Sequence, residues 1–283
     1  GGTCQDGVDA YTCQCDGYLG STCQTPMFET VVAPSGYEYC YVNGLSGTGT
    51  HMAVSCLMSF MHTFRWSPGG GLQEIAFPAN TLTMTGAGID STGANVFGYG
   101  SVATSGADLG SPFKWSAAGG VVWYAPYEAQ QSTFATDVSA DGSKVLGAQS
   151  SGGRILLWSS QAAPTPYEPN PGDDVSRSGR ISGNGLVVIG NSYDSTNNVT
   201  DLVRWTGPTT RQPISITGTF FAIYDVNFDG AVAVGYSDGY TGQAFVWRST
   251  SGITQLPTLG SGTCSATGIS DTGARIVGTC NDG

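Results

Sequence analysis

Eight cysteines, at positions 4, 13, 15, 23, 40, 56, 264 and 280, and only two histidines, His51 and His62, carry most of the reactive chemistry of this 283-residue sequence. A zinc site draws on Cys and His at short paired spacings such as C-x-x-C, and the sequence has neither that spacing nor a His cluster. Nucleophilic hydrolysis requires a Ser or Cys beside a His and an orienting acid. His51 falls next to a Gly-rich turn and His62 opens an apolar run, which are structural or surface placements. No H-E-x-x-H, phosphate-binding loop or G-x-S-x-G pattern occurs, so no cofactor is called for. Paired carboxylates for glycoside cleavage stay open among Glu29, Glu38, Glu74, Glu128 and the aspartates, because spacing favours no pair. The cysteines therefore read as disulfides, which belong to an oxidising, secreted or cell-surface location.

The net charge of −11 comes mainly from scarce bases, with lysine only at Lys114 and Lys144. A nucleic-acid partner needs a basic stripe to neutralise phosphates, and none exists. No run of about 18 apolar residues occurs, so nothing in this segment is read as a membrane span. Charged residues are only 11% and Gly numbers 43, yet Val, Ile, Phe, Tyr and Trp recur in strand-length runs. That combination is a turn-rich globular chain rather than a disordered one.

What must position these residues is a repeat. Leu45, Ile89, Val138, Ile181, Val226 and Ile269 each precede a four-residue turn ending in Gly, and they are spaced by 44, 49, 43, 45 and 43 residues. The turns begin at Ser46, Asp90, Ser139, Ser182, Asn227 and Ser270, and their last Gly suits a hairpin loop closing on a positive φ. A β-rich run closed by Gly follows, then an aromatic run ending in Trp66, Trp115, Trp158, Trp205 or Trp247, then a last apolar run. Four short strands per unit of 40 to 50 residues is the signature of a β-propeller blade. The expectation is an all-β, six-bladed propeller over residues 26–283, with antiparallel four-stranded blades beginning near 40, 84, 133, 176, 221 and 264. A stacked solenoid is the rival architecture.

The two ends of the array are complementary. Phe28 to Ala33 reads as a lone fourth strand, while the sixth repeat holds only strands one and two. The N-terminal strand is therefore expected to join the last blade and close the ring, with strand three of that blade following Gly283. Cys40 and Cys56 lie symmetrically about Thr48, and Cys264 and Cys280 about Thr272, each eight residues away. Residues so placed face each other across a hairpin, which predicts the bridges Cys40–Cys56 and Cys264–Cys280. Only the first and last hairpins are stapled.

Residues 1–25 resemble the second half of an EGF-like domain, on Gly1-Gly2-Thr3-Cys4, the gap to Cys13, the C-x-C with Cys15, Gly17-Tyr18, Gly20 and Cys23. The resemblance implies a Cys15–Cys23 bridge and partners for Cys4 and Cys13 lying before Gly1. A local Cys4–Cys13 bridge is the alternative. The run from Cys4 through Asp6 and Tyr11 to Cys13 is similar to the calcium-binding EGF variety, which implies Asp6 as a calcium ligand. A solvated turn Asp is the other reading.

Of the third strands beginning at His62, Ser111, Arg154, Asp201 and Gln243, the first and last resemble bacterial extracellular repeats named for a His-Ala-Phe signature, as do Gly98, Gly147, Gly190 and Gly235 after strand two and Gly252-Ile253 before strand four. That resemblance implies a propeller in a secreted or surface protein and no particular activity. The Trp side chains are expected as wedges between blades. The longest connections, Tyr99 to Pro112 and Ser192 to Asp201, are read as loops, and Asp108, Tyr193, Asp194, Asp238 and Tyr240 are the candidate binding residues. Asn198 opens the only N-x-S/T sequon.

These readings point to a non-enzymatic extracellular structural or adhesion protein, a filament or matrix subunit whose partners are other protein copies or cell-surface components. A glycan-binding propeller is the alternative, and a propeller hydrolase or lyase the third.

Overall fold

The computed structural model describes the backbone of residues 2–7, 10–15, 18–19 and 25–26, and from residue 31 onward all but 105–106, 129–130, 151–152, 217–220, 239–242, 259–261 and 282–283. The side chains of residues 1–30, of 102–104, of 107–108 and of 178 are likewise outside the described set. The chain divides into two compact bodies, Gly1–Ser35 and Gly36–Gly283.

In the first body, β1 (Gly2–Gly7) pairs antiparallel with β2 (Ala10–Cys15), in a register that sets Cys4 opposite Cys13, and β3 (Tyr18–Leu19) pairs with β4 (Thr25–Pro26). The side chains of Asp6, Cys15 and Cys23, on which the EGF-like and calcium expectations rest, fall outside the described residues.

The second body is a succession of antiparallel sheets, one per repeat, each strand hydrogen-bonded to the next in sequence. Repeat 1 comprises β5 (Tyr39–Leu45), β6 (Met52–Leu57), β7 (Met61–Ser67) and β8 (Gly71–Glu74). Repeat 2 comprises β9 (Thr81–Ile89), β10 (Asn95–Thr104), β11 (Ala107–Ser116) and β12 (Gly120–Trp123). Repeat 3 follows with β13 (Thr133–Val138), β14 (Val145–Gln149), β15 (Ile155–Trp158) and β16 (Thr165–Pro166). Repeat 4 has β17 (Val175–Ile181), β18 (Val188–Asp194), β19 (Val199–Trp205) and β20 (Arg211–Ile214). Repeat 5 has β21 (Phe221–Val226), β22 (Val232–Ser237), β23 (Gln243–Arg248) and β24 (Gly252–Gln255). Repeat 6 has, among the described residues, the hairpin β25 (Cys264–Ile269) and β26 (Ile276–Cys280).

The four-residue turns are built alike. Their last Gly takes a φ between +66° and +72° at Gly49, Gly93, Gly142, Gly185, Gly230 and Gly273, which only a residue without Cβ adopts freely. Their first residue accepts a hydrogen bond from the N–H five positions on, as Ser139 Oγ does from Lys144 at 3.0 Å and Asn227 Oδ1 from Val232 at 2.9 Å. The turns are also tied to one another. Gly47 N–H donates to Ser91 O, Ser91 to Ala140 O, Ala140 to Gly183 O, Asn184 to Phe228 O and Phe228 to Asp271 O.

Each of those five junctions encloses an apolar core. Trp115, Trp158, Trp205 and Trp247 pack into clusters that mix a strand-two residue of the preceding repeat with strand residues of their own, as Ile189 of β18 meets Trp247 of β23. The indole N–H of Trp158 donates to Ala125 O and that of Trp205 to Glu168 O, both on the preceding repeat and both at 2.8 Å. These tryptophans are the expected wedges between sheets.

The first and last hairpins carry the bridges Cys40–Cys56 and Cys264–Cys280, each with a sequence separation of 16. Of the anticipated closing strand Phe28 to Ala33, residues 28–30 lie outside the described set and residues 31–33 carry no strand; among the described residues the sheet of repeat 6 has two strands. Pro34, which has no ladder donor, and Gly36, at φ +93°, turn the chain immediately after that segment.

Candidate functional site

The first strand of every repeat carries a β-bulge or register shift, between Ala135 and Asp137 in β13 and between Ile223 and Asp225 in β21 for example. A bulge leaves one residue unpaired and re-aims its neighbours. Here the six bulged strands line a common channel of about 840 Å³, reached by Asn43, Ala87, Thr136, Arg180, Tyr224 and Thr267.

At the position after the bulge, three successive repeats carry Asp137, Arg180 and Asp225, and all three reach to the next repeat. Asp137 accepts from its own Val138 N–H and from Ile181 N–H, each at 2.8 Å. Asp225 does the same with Val226 and Ile269, again at 2.8 Å. Arg180 Nε donates to Tyr224 O at 2.9 Å. Burial pushes the Asp137 carboxyl up to about 6, against the pull of Arg180 and the two N–H donors, and pushes Asp225 up for the same reason. Both oxygens of each carboxylate are engaged by backbone, so these groups brace adjacent sheets. The sequence signal for them was an acid one residue before the apolar residue of the turn, at a spacing of two repeats.

The candidate loop residues are placed differently from expectation. The stretch Tyr99 to Pro112 is mostly the extension of β10 and β11, and Asp108 sits in β11 opposite Ala103, its side chain outside the described set. Ser192 to Asp201 likewise continues β18 and β19, with only four residues, 195–198, between the strands. Long regular hairpins satisfy backbone groups that an irregular loop would leave to water. Tyr193 lies under the Arg177 guanidinium, 4.4 Å from the ring centre, and its hydroxyl donates to Asn198 Oδ1 at 3.0 Å. Asp194 closes the turn, accepting from the Asn197 side-chain amide, from Asn197 N–H at 3.1 Å and from Thr196 N–H at 2.8 Å, and these bonds hold its carboxyl below the ordinary range. Asn198 holds a φ of +56° in that turn. Asp238 is exposed after β22, and Tyr240 lies outside the described residues. Of these five, Tyr193 and Asp194 share one hairpin.

His62 Nδ1 meets Glu74 Oε1 at 2.7 Å within repeat 1, stacked on Phe77. His51 bonds the adjacent Thr50 hydroxyl at 3.0 Å, and burial and Arg65 hold its imidazole below the usual value. Glu128 accepts from Gln149 Nε2 at 3.1 Å. Among the described residues no group of three or more His, Cys, Asp or Glu is arranged to hold a metal ion, and no helix is long and apolar enough to cross a membrane.

No family profile and no curated protein matches the sequence. Solved structures do share its fold. TolB from Acinetobacter baumannii matches with a TM-score of 0.57 at 12% identity, over 88% of this chain and 60% of that one. A streptogramin B lyase matches with a TM-score of 0.53 at 15% identity, over 87% of this chain and 80% of that one. An oligogalacturonate lyase in complex with manganese matches with a TM-score of 0.53 at 13% identity, over 87% and 69%. The chain thus spans three fifths of the length of the TolB it resembles. At these identities the likeness concerns fold alone, and it agrees with the sheet succession around a common channel: the second body is a β-propeller. Its two disulfides mark a chain of a non-cytoplasmic compartment.

Proposed function

We propose that this chain is a non-enzymatic extracellular scaffold, a propeller of six blades preceded by a small EGF-like spacer, whose work is to hold other proteins at a surface or in an assembly. The observation that supports it most is the distribution of apolar side chains. Within the five internal junctions they are buried, and at the two ends of the array, on β5 and β26, Val42, Leu45 and Val277 face solvent. Apolar side chains left exposed at the terminal sheets, with others at Leu186 and Val199 between them, offer contact area for a partner. The channel agrees with this reading, because the carboxylates of Asp137 and Asp225 are spent on backbone N–H groups. The stapled terminal hairpins support extracellular placement, since disulfides persist outside a reducing interior.

The test is direct. The oxidised, purified chain is expected to sediment with intact cell envelopes or to self-associate in light scattering, and to leave polysaccharide and ester substrates unchanged. A protein that stays monomeric and free of every surface offered, or that turns over a substrate in its channel, overturns the scaffold reading.

A further inference from the structure

Repeat 4 opens on the short loop Asn170-Pro171-Gly172-Asp173-Asp174, which leads into β17. Pro171 and Gly172, the latter at φ +98°, form a tight turn closed by Asp173 N–H on Asn170 O at 3.0 Å. The loop is fastened to the hairpin of β18 and β19. Asn170 N–H donates to Ser192 Oγ at 2.8 Å, Asn170 Nδ2 to Asp201 Oδ2 at 3.2 Å and Asp174 N–H to Tyr193 O at 2.9 Å. Ser192 stands opposite Asp201 in the register of that hairpin. Four acids, Asp173, Asp174, Asp194 and Asp201, are thereby gathered at one end of repeat 4.

Among the described residues no base offsets them. The ion pairs are His62–Glu74 and Arg211–Glu168, and Arg177 is turned onto the Tyr193 ring. Asp174 is engaged by Ser195, through its N–H at 2.8 Å and its hydroxyl, and Asp194 by Thr196 and Asn197. Asp173 is less well provided. Burial, and after it the charges of Asp201, Asp194 and Asp174, push its carboxyl up, against a hydrogen bond from Ser192. The repeat does not demand this grouping, because the counterparts of Asp201 four residues before the third-strand Trp are His62, Ser111, Arg154 and Gln243. A second observation shows what the acids lack. Asn170, 6% exposed, directs its amide into the group, yet its Oδ1 has no hydrogen-bond partner among the described residues. Asp173 Oδ2 has none either, and both atoms are out of reach of solvent. Two buried oxygens without a donor, beside acids without a base, make a place for a positive charge.

We propose that Asn170, Asp173, Ser192 and Asp201 form a binding site for calcium, where the loop entering repeat 4 meets the hairpin of β18 and β19. Binding of a cation here does not depend on the scaffold reading. The donors are two carboxylates, an amide oxygen and a hydroxyl, with neither thiolate nor imidazole, which suits a hard cation and not zinc. Calcium accepts an irregular set of oxygens completed by water, where magnesium demands a near-octahedral one. With only two carboxylates the expected affinity is that of the weak sites of extracellular modules, about 10⁻⁴ to 10⁻³ M. A bound ion offsets the repulsion between Asp173 and Asp201 and gives Asn170 Oδ1 a partner. It thereby clamps the connection between repeats 3 and 4 onto the hairpin.

The probe is calcium chloride, titrated into the full oxidised chain carrying Asp6→Asn, so that the candidate ligand of the first body is removed. At about 10 mM calcium the denaturation temperature is expected to rise by about 2–4 °C over the chelator-treated protein. Asp173→Asn and Asp201→Asn are each expected to abolish that rise and to leave the chelator-treated protein at least as stable as the parent, since each removes a repelled charge. Asp229→Asn, in an exposed turn of repeat 5, is expected to keep the rise. With the site intact, amide exchange at residues 170–174 and 192–201 is expected to slow when calcium is added. A denaturation temperature indifferent to calcium, with exchange at those residues unchanged, leaves the oxygens to water and overturns the site. A rise that survives both Asp173→Asn and Asp201→Asn puts the cation elsewhere and overturns it as well. An equal rise from magnesium chloride overturns the choice of calcium, and an equal rise from sodium chloride of matched ionic strength overturns the site by reducing the effect to screening.

Discussion

The carboxylate of Asp225 accepts the backbone N–H of Ile269 at 2.8 Å, across 44 residues of sequence and from one first strand to the next. Asp137 and Ile181 repeat the arrangement two repeats earlier, at the same separation of 44. Each carboxylate ties the lip of the channel where two sheets meet, and each lies in surroundings that disfavour its charge.

A pH dependence follows from the Asp137 brace. Its folded pKa, about 6, lies above the ordinary value of 3.8, so between those values the folded protein keeps a proton that the unfolded chain has released. Stability contributed by this group is therefore present in acid and is lost as pH rises through about 6. Asp137→Asn should remove that slope, so that urea denaturation shows the variant gaining about 2 kcal/mol relative to the parent between pH 4 and pH 7, after allowance for screening at the channel wall. Parallel curves for the two proteins would refute the assignment.

Removing the staple of the last hairpin is expected to be costly, since Cys264 is buried in an apolar cluster with Cys280 packed against it. Paired Cys264→Ser and Cys280→Ser substitutions open a loop spanning a separation of 16 residues. The chain-entropy argument gives about 3 kcal/mol, seen as a lower denaturation midpoint. The test is equilibrium unfolding of the oxidised proteins side by side.

Trp205 is fully buried, packs with Leu146 and Val188, and donates its indole N–H to Glu168 O. Trp205→Ala should cost about 3–5 kcal/mol, with Trp205→Phe intermediate because the ring volume is partly kept and the hydrogen bond is not. Thermal unfolding would report the order, and an alanine variant as stable as the parent would deny the wedge role.

A Cβ at Gly235 would stand 2.0 Å from Ala222 O, whereas one at Gly207 would meet nothing closer than 3.6 Å. Gly235→Ala is expected to destabilise by about 1–3 kcal/mol through forced separation of β21 and β22, and Gly207→Ala to fall within about 0.5 kcal/mol of the parent. Calorimetry of the pair separates close approach from general loss of glycine flexibility.

The period, the turns and both hairpin staples were legible because each rests on a residue type that one backbone geometry demands: Gly at positive φ, Cys equidistant from a turn, Trp closing a strand. The bulges were not legible, since an extra residue in a strand leaves no mark beyond a small change of spacing. Without them Asp137, Arg180 and Asp225 could not be placed at a channel, and the acids that sequence reading favoured, Asp108, Asp194 and Asp238, stood instead in or beside extended hairpins.

The bonds from one turn to the next have a consequence for how such a chain can vary. Every joint from Gly47 to Asp271 is made from the same few atoms. Duplicating or deleting one whole copy of the pattern changes the number of joints and leaves the chemistry of each untouched. Length can therefore be inherited in whole steps, and a frame error within a step is the change this architecture tolerates least.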